Sequence, residues 1–513
     1  MSVNLAEVLL DASRVHADRI AMESATLSCD YREFAHRAEA LSQVLRSTDV
    51  QANEPIAVLV GNHPLDLVGF AAVWLAGAVV VPVHRDTPAA ALDGLLQACG
   101  ARIAIDATRK APAPTGWQRV GDLLSGQHPA PAPRALLEGA ALVLFTSGST
   151  GKPKGVVLSH RALAGKLDTI DSLLHCAPGE RTLLVLNLSF VFANWLSLLT
   201  LRSGGCLLMH DKFRPDGFVD ALAHAGITRV GVVPTMMRAL LADLDRGSVP
   251  GSDLLPIAAP ALRQLLIGGE SLDAALSTRI EQRLPDAQLI NAYGLTETCG
   301  NDVYLLPADR PRYAGCIGRP APQVRLRIVE NGREVADGQT GELQLLTPFA
   351  MSGYLDAPEL TAAAFDNGWL RTGDIARLRD DGVVELAGRA KEIISRGGNK
   401  VSPLEIEQAF ASHPDVAAVM ATGVSDPLLG ERIHLLVVAR ESCVIDEAAL
   451  RAHGAHQLAR FKQPDFIHVG KELPLGRTGK ADRGMLRRQL EHHRPADPMD
   501  QSDRCEKRDG KPV

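Results

Sequence analysis

Residues 146–155 read TSGSTGKPKG. Glycines, hydroxyls and lysines crowded into one stretch are the chemistry of an anion-binding loop, and its kind decides both fold and reaction. A P-loop runs GxxxxGK and then Ser or Thr, whose hydroxyl ligates Mg²⁺. Here Gly148 and Gly151 are separated by two residues, and Lys152 is followed by Pro153. Spacing and hydroxyl both fail, and GRTGKAD at 476–482 fails in the same way. The Walker reading is set aside. An anion site survives it: the apolar run ALVLF empties into small residues whose N–H groups can turn inward. Ser147, Ser149 and Thr150 add hydroxyl donors, and Lys154 adds positive charge. The same composition also suits a solvated surface loop, so the stretch alone leaves both readings open.

Outward from the loop, apolar β-rich runs alternate with helical stretches. PIAVLVG (55–61), GAVVVPV (77–83), ALVLFTSG, TRVGVVPTMMRALLADL and LRQLLIGGESL repeat a strand–turn–helix theme. Such alternation predicts a layered α/β fold with largely parallel sheets and functional loops at the carboxyl ends of strands. From Gly315 the texture changes. VRLRIVENGREVADGQTGELQLLTP alternates and carries turn signals, which predicts antiparallel hairpins. Ser402 and Pro403 before LEIEQAF read as N-cap and N1 of a helix. The expected organisation is a large N-terminal domain over 1–388, with two layered α/β sheet subdomains and a β-rich subdomain. A small α+β domain follows over 389–490, and then a polar tail, 491–513, expected to be disordered.

Composition narrows the function. The chain has 513 residues, enough for three or four structural units at roughly 100–200 residues each. A formal charge of −6 gives no reason to expect nucleic-acid binding. Eight cysteines are scattered without a CxxC or a Cys/His cluster, which suggests neither structural zinc nor disulfides and suits the cytoplasm. The run VGFAAVWLAGAVVVPV (68–83) is too short to span a bilayer comfortably and reads as a buried helix followed by a buried strand.

Taken with four further motifs, the loop resembles the phosphate loop of the adenylate-forming (ANL) superfamily: acyl-CoA synthetases, adenylation domains of peptide synthetases and luciferases. NAYGLTET (291–298) resembles its adenine and Mg²⁺ motif, and GELQLLTPFAMSGYL (341–355) its next signature. GWLRTGDIARLRDDGVVELAGRAKEIISRGGNKVSPLEIE (368–407) is similar to its ribose and hinge motifs, and LPLGRTGKADR (473–483) to its terminal lysine motif. The resemblance implies acyl-AMP formation from a carboxylic acid and ATP, then transfer to a thiol. It implies that Thr146, Ser147, Gly148, Ser149, Thr150, Gly151 and Lys154 grip the β- and γ-phosphates. Glu297 would be the Mg²⁺ carboxylate, an oxygen ligand of the kind Mg²⁺ prefers, with Thr296 on the α-phosphate. Gly268, Gly269, Glu270, Asn291, Ala292, Tyr293 and Gly294 would line the adenine, with Tyr293 stacked on it. Asp374 and Arg389 would hold the ribose. The small C-terminal domain would be mobile, with Lys391 the hinge and Lys480 the catalytic lysine bridging carboxylate and α-phosphate.

The acid is read from LNLSFVFANWLSLLTLRSGG (186–205), which resembles the family's acyl-pocket segment. No Asp stands near Phe190 to pair with an α-ammonium, and burying that charge unpaired is costly, so an α-amino acid is disfavoured. Phe190, Phe192, Trp195 and Met236 suggest an apolar acyl or aryl group, with Asn194 able to bond a polar substituent. The acceptor is CoA or, alternatively, the phosphopantetheine of a carrier protein acting in trans. The expected cofactors are ATP, Mg²⁺ and coenzyme A, and the expected assembly is a monomer or homodimer. A catalytically inactive nucleotide-binding regulator is the reading from another class.

Overall fold

The computed structural model describes residues 3–111, 113, 116–126, 131–146, 153–249, 256–441, 443–476 and 480–492. The predicted phosphate contacts Ser147, Gly148, Ser149, Thr150 and Gly151, and the tail from 493 onward, lie outside the described residues. The strand leading into the loop is Ala140–Thr146, and its first five residues are buried. It does not continue into a helix. It pairs antiparallel with Lys154–Ser159, placing Thr146 opposite Lys154, so the loop closes a hairpin. The reason lies in GVVLS, a second β-branched run that must be paired before a helix can begin. The helix His160–Leu174 starts only where the Ser159 hydroxyl accepts from the Ala162 N–H.

The chain divides into two compact units, Met1–Leu386 and Ala387–Val513. The first holds three sheets. The loop hairpin belongs to an eight-stranded sheet, beside the parallel strands Pro55–Val60 and Val79–His84. Every residue of Pro55–Val60 is buried, as expected of a strand covered on both faces. A nine-stranded sheet carries Arg229–Val232, Gln264–Gly268 and Gln288–Leu295 as parallel neighbours. Helix His160–Leu174 packs on the first sheet and helix Val191–Arg202 on the second, and the two helices meet. The interior is thus a layer of helices between sheets, which explains why Val191–Arg202 is apolar nearly all round. The run 68–83 is the buried helix Pro64–Leu75 followed by the buried strand Val79–His84.

Beyond Gly315 the strands Arg325–Glu330, Thr340–Leu346 and Trp369–Leu378 form an antiparallel sheet. In the second unit, a five-stranded sheet centred on Val416–Asp426 and Gly430–Ala439 packs against helices Pro403–Ala411 and Glu447–Gln457. Ser402 does stand at the N-cap of Pro403–Ala411, but its hydroxyl makes no cap bond and is buried without a partner among the described residues. No helix among the described residues is long and apolar enough to cross a membrane.

Candidate functional site

The parallel pairing of Gln264–Gly268 with Gln288–Leu295 ends at Gly268 and Ala292. Their approach is so close that a Cβ on Gly268 would fall 2.3 Å from the Ala292 carbonyl oxygen, so only glycine fits. Beyond Ala292 the chain turns back at residues 296–298 into Gly300–Leu305, with Leu295 opposite Gly300. Gly294 is required there too, since its Cβ would lie 2.2 Å from the Gly300 oxygen. This hairpin tip carries Thr296 and Glu297.

Four of the predicted residues, Lys154, Tyr293, Glu297 and Asp374, meet partners across long sequence distances. The Tyr293 hydroxyl donates to Asp374 Oδ2 at 2.6 Å, and Asp374 is buried. The two motifs expected to meet adenine and ribose are therefore joined directly. Glu297 Oε1 accepts from the Tyr354 hydroxyl at 2.8 Å, and its backbone carbonyl accepts from Met351 N–H at 2.7 Å. Lys154 Nζ lies 5.1 Å over the Tyr354 ring, so one tyrosine spans the loop's exit lysine and the Glu297 carboxylate. Burial and the Glu297 charge both raise the Tyr354 hydroxyl well above its ordinary range, keeping it a donor.

Thr146 ends its strand half-buried. Gly269 has φ +82°, and Glu270 accepts from Thr235 Oγ1 at 2.8 Å and from Thr235 N–H at 3.2 Å. Asn291 is buried and spends its amide on the Cys316 carbonyl at 3.2 Å. Phe192 and Trp195 stack with centroids 5.1 Å apart and planes 10° from parallel. Phe192 lies across Gly231, where a Cβ would come within 3.0 Å of its ring. Asn194 is buried and donates to the Leu188 and Phe190 carbonyls at 2.7 and 2.8 Å. That leaves only Asn194 Oδ1, buried without a partner among the described residues, to face a substituent, and it can only accept. Phe190 precedes the helix Val191–Arg202, and half-buried Met236 lies in the first turn of Pro234–Asp245.

Arg389, Lys391 and Lys480 belong to the second unit. Arg389 and Lys391 are exposed, and the Lys480 carbonyl accepts from Gly476 N–H at 2.8 Å. Arg483, three residues beyond the lysine, pairs with Glu392 at 3.0 Å and with Glu407, tying the lysine segment to the residue after Lys391.

Sequence reasoning missed Tyr354, although GYL closes a quoted motif, and it missed the buried set Lys166, Thr298 and Asp302. Lys166 Nζ sits 2.7 Å from Asp302 Oδ1, and both side chains have 0% exposure. Asp302 Oδ2 in turn accepts from the Thr298 hydroxyl. Burial pushes the Asp302 carboxyl upward, against the pull of the Lys166 ammonium. No sequence signal marked Lys166, which stands among charged and apolar residues of an ordinary helix.

Carboxylates, hydroxyls and an aromatic ring gathered where strands of layered sheets end define a nucleotide-handling α/β enzyme. The family profile of AMP-binding enzymes matches residues 9–355, and that of the AMP-binding enzyme C-terminal domain matches 405–480. Sulfoacetate–CoA ligase of Cupriavidus necator is 36% identical over 358 residues, 69% of this chain and 68% of its own length. Feruloyl-CoA synthase of an Amycolatopsis species is 31% identical over 469 residues, 90% of this chain and 94% of its own length. ATP-bound MatB from Rhodopseudomonas palustris superposes with a TM-score of 0.82 at 26% identity, covering 96% of this chain and 99% of MatB. The chain belongs to the AMP-binding enzymes of the adenylate-forming superfamily.

Proposed function

We propose that this AMP-forming acid–thiol ligase joins an apolar acyl or aryl carboxylic acid to ATP and passes the acyl group to coenzyme A. In the first step an oxygen of the acid's carboxylate attacks the α-phosphorus. The α–β bridging bond breaks and pyrophosphate leaves with its electron pair. In the second, the thiolate sulfur attacks the acyl carbon and AMP departs. The observation that carries the nucleotide half is the Tyr293–Asp374 bond, which brings an aromatic face and a buried carboxylate to one place from motifs eighty-one residues apart.

The first step concentrates negative charge, so donors and cations must face the phosphates. Thr146, Thr150 and Lys154 hold the leaving pyrophosphate, and Thr296 touches the α-phosphate. Asp374 accepts from the ribose hydroxyls and Arg389 donates to them. The donor chemistry suits Mg²⁺, since Glu297 offers the carboxylate oxygen that this ion prefers alongside phosphate oxygens and water. Bound there, Mg²⁺ would neutralise phosphate charge. Lys480 offsets charge between acid and α-phosphate, and Lys391 is the pivot of the domain that carries it.

Relatives named for CoA support CoA as acceptor over a carrier protein. Their acids differ too widely to name this one, so the pocket speaks for it through the Phe192–Trp195 stack and the lack of a carboxylate near Phe190. The test is acid-dependent ATP–pyrophosphate exchange across aliphatic, aryl and amino acids, followed by thioester assay with CoA and with a phosphopantetheinylated carrier. Exchange with apolar or aryl acids and a CoA thioester is expected. No exchange with any acid would favour a regulator, and a thioester formed only on the carrier would overturn the acceptor.

A further inference from the structure

A lysine with 0% exposure is an expensive thing to keep inside a helix, because its charge must be fully paired there. Lys166 meets that demand with Asp302 Oδ1 at 2.7 Å, the Asn301 carbonyl at 3.1 Å and the Phe349 ring face at 5.0 Å. Asp302 hands the interaction on, since its other oxygen accepts from Thr298. Thr298 is the last residue of the tip that bears Thr296 and Glu297. Immediately after it come Cys299 at φ +59° and Gly300 at φ +105°, two left-handed residues in succession. A non-glycine residue keeps such a conformation only where its surroundings impose it. The tip is thus gripped at two points. Met351 and Tyr354 hold Glu297 itself, and the Thr298–Asp302–Lys166 chain holds the next residue from within the core.

We infer that Lys166, Asp302 and Thr298 are positioning residues, a buried charge relay that fixes the Thr296–Glu297 tip in the orientation needed for the metal-bound triphosphate. This rests on Glu297 being the metal carboxylate, as proposed above. The relay also links two phosphate-facing segments. Lys166 stands on the helix that follows Lys154–Ser159 without a break, so the strand leaving the phosphate loop and the tip bearing Glu297 are joined through one ion pair. Partners that orient a metal ligand are worth about 10- to 100-fold in metal affinity or activity when removed.

Thr298→Val removes the hydroxyl and keeps the shape, Thr298→Ser restores the hydroxyl, and Lys166→Met with Asp302→Leu removes both charges together. Two readouts do not depend on turnover. One is Mn²⁺ binding by electron paramagnetic resonance in the presence of a non-hydrolysable ATP analogue. The other is amide hydrogen exchange of residues 295–302 without nucleotide. Thr298→Val is expected to weaken Mn²⁺ binding by about 10- to 100-fold, to speed exchange at the tip and to lower kcat for pyrophosphate exchange. Thr298→Ser should behave as native. Native Mn²⁺ affinity and native tip exchange in Thr298→Val would overturn the proposal, and this variant decides alone if the charge-free pair does not fold. Glu297→Gln separates the two levels: native Mn²⁺ affinity in that variant removes the reading of Glu297 itself, whatever the relay does.

Discussion

Glu297 shows how little of a site one side chain explains. Its carboxylate was legible in YGLTE, but the hydroxyl that steadies it comes from Tyr354, fifty-seven residues on. Tyr354→Phe keeps the ring under Lys154 and removes only that bond. A hydrogen bond to a charged group is worth roughly 2 kcal/mol, so kcat/KM for pyrophosphate exchange should fall by about tenfold or more. An unchanged value would show that the hydroxyl plays no part. Asn194 teaches the converse. It was legible as a polar residue in an apolar segment, yet folding spends its two N–H donors on its own helix entry, leaving one acceptor. Sequence cannot assign a donor that local backbone geometry will claim.

Helix starts and strand pairing were only partly visible in the sequence. Ser402 and Pro403 marked the start of Pro403–Ala411, but the Ser402 hydroxyl does not cap it, whereas Ser159 caps His160–Leu174. The hairpin at the phosphate loop was masked by a strand–turn–helix rhythm that holds elsewhere in the same sheet. His160, first residue of its helix, illustrates tertiary chemistry grafted on a local signal. Its Nδ1 accepts from the Leu5 N–H at 3.1 Å, and its ring meets Trp74 edge-on at 5.7 Å. Burial lowers the imidazole to about 4. An unfolded imidazole titrates near 6.5, so between about 6.5 and 4 the unfolded chain binds a proton that the folded one refuses. Stability therefore falls as pH drops through that window, by up to about 3 kcal/mol from this group. His160→Asn keeps an acceptor and cannot titrate. Its thermal midpoint should fall less than the native one between pH 7 and pH 4.5, and equal falls would refute the assignment.

Each of the two units has sheets and a core of its own, with Glu297 and Asp374 in the first and Lys480 in the second. Lys480→Ala should cut acyl-AMP formation by about a hundredfold or more, the cost of losing one charge-stabilising group. Thiol transfer from supplied acyl-AMP should persist, and equal loss of both steps would sink the role of Lys480. The layered α/β fold, the change to antiparallel strands after Gly315 and the family followed from contiguous residues. Periodicity, glycine spacing and motif order are properties of neighbours along the chain, and a single sequence displays them directly. Tyr293 with Asp374, Tyr354 with Glu297 and Lys166 with Asp302 were decided by packing. Which distant groups meet, and how far water is driven from them, depends on helices and sheets closing on one another, and desolvation has no counterpart in a linear chain.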